Sequence, residues 1–169
     1  MEVYLGTEMK RVVVRDDMAF GEHTALHDAI FNLDTDATWM DRARALCQIV
    51  SEWEFDGDPT DVESWGALDI FEIIELENKL AVDLGDAIEL RKRFPASEFD
   101  DMGKQLRHLG QRIHWRKRAS VLIPFLERLD MLTDFKDADQ WGALSIFQVL
   151  AIEQAITTMV MERTSRAKN

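Results

Sequence analysis

Residues Trp65-Gly66-Ala67-Leu68-Asp69-Ile70-Phe71 return 76 positions later as Trp141-Gly142-Ala143-Leu144-Ser145-Ile146-Phe147. The same shift superposes Trp39 on Trp115, Arg42 on Arg118, Ala43 on Ala119 and Leu46 on Leu122. It also brings Asp58 onto Asp134, Asp61 onto Asp137 and Glu77 onto Glu153. Apolar positions agree even where identities fail, so one supersecondary unit has been used twice. The match runs without a gap from Trp39 to about Leu80 against Trp115 to about Ile156. Whatever fold the first stretch adopts, the second adopts too.

Periodicity suggests what the unit is. Trp39, Ala43, Leu46, Ile49, Val50 and Trp53 recur at three- and four-residue steps, the stripe of an amphipathic helix. An acidic loop over 54–61 follows, then a helix capped by Asp61 or Ser64. That helix carries Leu68, Ile70, Phe71, Ile73, Ile74, Leu76 and Leu80, with a narrow polar strip at Glu72, Glu75, Lys79 and Asp83. So little polar surface predicts a mostly buried helix. A short helix is expected near 86–94, and another over 97–109. In the second copy Trp115, Ala119, Leu122, Phe125, Leu126 and Leu129 form the first stripe, with Pro124 expected to kink or end it. On the repeated helix the polar strip becomes Gln148, Ala151 and Ala155. A face that has lost its charge has to be covered, by the first unit, the N-terminal strands or a second copy of the chain as a homodimer.

Only residues 1–20 have strand character, with Val3-Tyr4-Leu5 and Arg11-Val12-Val13-Val14 as a small hairpin. The expected architecture is therefore mainly α: a tandem helix–loop–helix repeat with a small N-terminal β element. Residues 1–36 would hold that element and a short helix, 37–110 the first unit, and 111–169 a truncated second unit.

Charge narrows the function. The chain of 169 residues has a net charge of −12, which disfavours general binding to nucleic acid or to anionic membranes. Residues 1–90 hold 22 acids against 6 Lys and Arg, whereas 91–118 is basic. The basic segment reads as a solvated helix face or a strip paired with the acidic part. Cys47 is the only cysteine, which suits a reducing compartment. No signal peptide or membrane span is expected, so the setting is cytoplasmic.

Few groups invite chemistry. His23 and His27 stand four apart, so a helix would place both imidazoles on one face as metal ligands, and a metal-dependent enzyme is one alternative reading. Glu22 and Asp28 are only sequence neighbours. The acidic loop with Asp56, Asp58, Asp61 and Glu63 fails the calcium-loop pattern, since its sixth position is Asp61 rather than glycine and its twelfth is Ala67. Cys47 becomes Ile123 in the second copy, which points to packing. The repeated tryptophans read as anchors, with indoles folded under helix starts and a glycine that permits close approach. No catalytic set is expected. The leading expectation is a non-catalytic adaptor that docks a basic protein partner through Asp56, Asp58, Asp61, Glu63, Glu72 and Glu75.

The unit's length, its acidic loop and the run Leu76-Glu77-Asn78-Lys79-Leu80 followed by Val82-Asp83-Leu84-Gly85-Asp86 resemble an acyl carrier protein over 37–109. The resemblance implies a four-helix unit and a phosphopantetheine arm on a serine. Aligning on Leu68-Asp69 and Glu72 puts Ala67 at that serine, and aligning on the helix end puts Gly66 there. Only the register Glu63-Ser64-Trp65 offers a hydroxyl, at Ser64. A carrier modified at Ser64 is thus a further alternative, and phosphopantetheine is the one cofactor in view.

Overall fold

The structure is a computed structural model that describes residues 1–21, 37–80, 82–109 and 113–166. In chain order its elements are β1 (Glu2–Leu5), β2 (Lys10–Val14), α1 (Trp39–Leu46), β3 (Val50–Trp53), a 3-10 turn (Val62–Ala67) and α2 (Ile70–Lys79). A second series follows: β4 (Ile88–Leu90), α3 (Ala96–Arg107), α4 (Trp115–Leu122), β5 (Leu126–Leu129), a 3-10 turn (Ala138–Ala143) and α5 (Ile146–Arg166). Strands β1, β2 and β3 form one antiparallel sheet in that order, and β4 pairs with β5 in another.

This corrects the expected mainly α repeat: the fold is mixed, and each unit contains a strand that the helical stripe concealed. Helix α1 ends at Leu46, and Val50–Trp53 is extended. The apolar positions Ile49, Val50 and Trp53 fit a helix face, but β-branched side chains pack as well on a pleated surface, and β2 supplies the partner. In the second unit the helix ends at Leu122, ahead of Pro124, at the same repeat position where the first unit's helix ends at Leu46 with Gln48 in the proline's place. Residues Ile123–Phe125 form a 3-10 turn and Leu126–Leu129 a strand. The helix expected near 86–94 is instead a 3-10 turn at Gly85–Ala87 followed by β4. A four-helix unit over 37–109 is therefore not what these residues build.

The repeat extends further back than sequence identity does. Strand β2 pairs with β3 through Val12↔Trp53, Val13↔Glu52 and Val14↔Val50, with a bulge between Val13 and Val14. Strand β4 pairs with β5 through Ile88↔Leu129, Glu89↔Arg128 and Leu90↔Leu126, with its bulge between Glu89 and Leu90. Every position is 76 residues on. The flanking bonds follow, since Arg15 N–H donates to Ile49 O and Arg91 N–H to Phe125 O. The expected N-terminal hairpin is real, but its second strand belongs to the repeat. Each unit is thus strand, helix, strand, 3-10 turn, helix.

A single apolar core runs through both units, from Val3, Leu5, Val12 and Val14 through Leu46, Ile73 and Leu76 to Leu122, Phe125, Ile152 and Ile156. Trp65 and Trp141 lie wholly inside it, and their indole N–H groups donate to Pro59 O at 2.8 Å and to Phe135 O at 2.7 Å. The glycine after each serves the other tryptophan of its unit. A Cβ on Gly66 would meet Trp39 Cη2 at 3.0 Å, and one on Gly142 would meet Trp115 Cη2 at 2.8 Å. Trp115 is buried and meets Phe20 edge-on, whereas Trp39 is only half-buried. Gly142→Ala should therefore cost about 1–3 kcal/mol, and Gly66→Ala measurably less, in urea unfolding midpoints.

The second interior feature is polar. Arg118 Nη1 donates to both carboxylate oxygens of Glu153, at 2.8 and 2.9 Å, with the arginine fully buried. Its counterpart joins Arg42 to Glu77 nearer the surface. There burial outweighs the arginine and holds the Glu77 carboxyl above its ordinary range. In each unit the pair ties the first helix to the last.

Candidate functional site

The six carboxylates expected to meet a partner fall on the 54–63 loop and on α2, and most are already used within the fold. Asp58 Oδ1 accepts from the N–H and the hydroxyl of Thr60, at 2.8 and 2.7 Å, which lowers its pKa. Asp61 Oδ1 accepts from Glu63 N–H. The second loop repeats this geometry, with Asp134 accepting from Lys136 N–H and Asp137 from Asp139 N–H. The aspartates shared by the two loops are turn formers, each holding the backbone two residues on. Glu72 closes a capping box with Asp69 at the start of α2. Glu75 takes Lys79 and the N–H of Gly6, and both hold its carboxyl below its usual range.

Asp56 and Glu63 remain. Both are exposed, and neither side chain makes an ion pair or hydrogen bond among the described residues. The second unit differs here. Asp139, the counterpart of Glu63, is paired with Arg116, and that guanidinium lies 4.5 Å over the Trp115 ring. In the first unit Met40 occupies the arginine's position.

Ser64 is half-buried, and its Oγ accepts from Asp58 N–H at 3.1 Å. Gln140 Oε1 does the same for Asp134 N–H in the other loop. The serine therefore has a loop-closing duty that its counterpart performs with an amide. His23 and His27 lie outside the described residues. Among the described residues no group of three or more His, Cys, Asp or Glu side chains is placed to hold a metal ion. Cys47 is half-buried, and burial raises its thiol pKa.

Helix α2 is less covered than its composition predicts. Ile73, Leu76 and the following Leu80 are buried, but Phe71 is 75% exposed and Ile70 39%. In α5 the equivalent Phe147 and Ile146 are at 3% and 0%. Gln148, Ala151 and Ala155 are half-buried, with Gln148 Oε1 accepting from Ser145 N–H as the cap of α5. A separate cleft of about 350 Å³ lies between the ends of α3 and α5, lined by Leu106, Arg107, Thr157, Val160, Met161 and Thr164. It gathers no acid, base or nucleophile suited to catalysis.

The exposed apolar turn at the start of α2 is the surface feature that sequence reasoning missed. A signal was available in the pairs Met40/Arg116 and Asp69/Ser145, where the copies differ in charge. Comparison of the chain with protein-family models, curated proteins and solved structures finds no match. Among the described residues no helix is long and apolar enough to cross a membrane.

Proposed function

We propose that this is a non-catalytic binding protein, an adaptor that docks a basic protein partner through the acidic surface of its first unit. The observation that carries this reading is the contrast between the loops. Asp139 is paired with Arg116, whereas Glu63 and Asp56 stand exposed with no cation paired to them among the described residues. Carboxylates left unpaired at a rim steer a basic partner and fix its register more than they add affinity.

Asp56→Asn with Glu63→Gln is the informative variant, because neither side chain supports the loop. Asp58 and Asp61 hold turns, and changing them would confound binding with folding. Partners recovered from native-cell extract on immobilised protein should elute as salt rises past physiological strength, and the double variant should retain several-fold less. Retention that survives both high salt and the double variant would overturn acidic docking. A mass gain after co-expression with a phosphopantetheinyl transferase, abolished by Ser64→Ala, would replace this reading with that of a carrier.

A further inference from the structure

The two units present the same edge, and among the described residues only one of them is covered by a backbone-bonded segment. In the second unit the segment Met18–Gly21 lies along residues 142–146 as an extended strap, with an antiparallel bridge between Ala19 and Ser145. Phe20 N–H donates to Leu144 O at 2.9 Å, Gly21 N–H to Gly142 O at 3.2 Å, and Ile146 N–H to Met18 O at 3.0 Å. Met18 and Phe20 are buried, and the Phe20 ring meets Trp115 edge-on at 6.0 Å. A Cβ on Gly21 would come within 3.2 Å of Gly142 Cα and 3.3 Å of Trp115 Cε2, a tight fit that glycine relieves.

In the first unit the equivalent groups are Gly66 O, Leu68 O and Ile70 N–H, and none has an inter-segment backbone partner among the described residues. Around them Ile70 and Phe71 are exposed, Trp39 is half-buried, and Glu63 lacks the arginine that its counterpart has. The segment that holds the equivalent place in the second unit cannot serve as this strap. Counting 76 on from Met18–Gly21 gives Phe94-Pro95-Ala96-Ser97. There Pro95 has no N–H, Ala96 begins α3, and Phe94 is packed on Phe99 and Phe125.

We infer that the open edge at Gly66–Phe71 is a docking site for an extended segment of a basic partner, with the pattern apolar–small–aromatic–glycine and arginine beside it. The mode is strand addition, in which backbone bonds hold the segment and alternate side chains select it. The aromatic ring takes the place against Trp39 that Phe20 takes against Trp115. The arginine supplies the cation that Glu63 and the Trp39 face lack, as Arg116 does for Asp139 and Trp115. This rests on the acidic-docking reading and gives it a location and a ligand chemistry.

A fluorescein-labelled peptide carrying Met-Ala-Phe-Gly between arginines, titrated against the full chain by anisotropy, tests it. Binding is expected. It should weaken about tenfold or more in Ile70→Ser/Phe71→Ser, a loss typical of truncating central apolar contacts. Both residues are exposed, so circular dichroism should show the variant folded. Methylating the phenylalanine amide removes the donor for Leu68 O and should weaken binding as much. A peptide of equal charge with serine in place of methionine and phenylalanine should bind at least tenfold more weakly. Should that peptide bind as tightly, or the methylated one as well as its parent, the edge is overturned and acidic docking stands. Should neither arginine peptide bind, both readings fall.

Discussion

Arg118→Met will lower unfolding stability by about 3–5 kcal/mol, because it takes from the buried Glu153 carboxylate the guanidinium that donates to both of its oxygens. Its guanidinium gives Glu153 two hydrogen bonds from one nitrogen, and only 1% of Arg118 is exposed to water. Glu153→Leu alone should also be destabilising, since it removes the carboxylate that accepts two hydrogen bonds from a buried guanidinium. The double change Arg118→Met/Glu153→Leu should recover most of the loss, as a buried ion pair is often no more stabilising than apolar groups of like volume. Urea unfolding of the four proteins gives the cycle. A double variant as unstable as the two singles summed would show that the pair does not act as a unit. Arg42→Met should cost clearly less, because its pair with Glu77 is partly solvated, with side-chain exposures of 13% and 18%.

Phe147→Ala should cost about 3–5 kcal/mol, and Phe71→Ala no more than about 0.5, although the two residues hold the same place in the repeat. Phe147 sits at 3% exposure in the core and Phe71 at 75%. The backbone around them matches: a buried tryptophan, a 3-10 turn and a capped helix start. What differs is the strap Met18–Gly21, which lies along the second edge and has no counterpart along the first among the described residues. Equal losses from the two substitutions would mean that Phe71 is covered in solution, by a second copy or by other contacts. Mass measurement of the free protein would separate those cases.

Much of the fold could be read in advance wherever it rests on side-chain identity within one unit. The repeat, the tryptophan anchors, the hairpin and the α3 span all follow from local rules. Strands β3, β4 and β5 did not. Ile49–Trp53 and Phe125–Leu129 suit a helical stripe in isolation, and only pairing with β2 and β4 makes them extended. Strand β4 shares little identity with β2, so the repeat seemed to begin at Trp39. Its register shows that it begins before Val12. The acidic residues were legible as a cluster but not as to their roles. Sequence cannot separate Asp58, which holds a turn, from Asp56, whose side chain makes no hydrogen bond or ion pair among the described residues.

The Trp-Gly-Ala-Leu repeat by itself determined that the chain contains one unit twice, since matching apolar and special residues impose matching local structure. Which copy is finished and which is open was decided only in three dimensions. Met18–Gly21 lies more than a hundred residues from the edge it covers. Its hydrogen bonds are made by backbone groups that every residue but proline carries, so no side-chain pattern announces them. The asymmetry that leaves Phe71, Trp39 and Glu63 at the surface is a property of tertiary contact, and the proposed docking site rests on it.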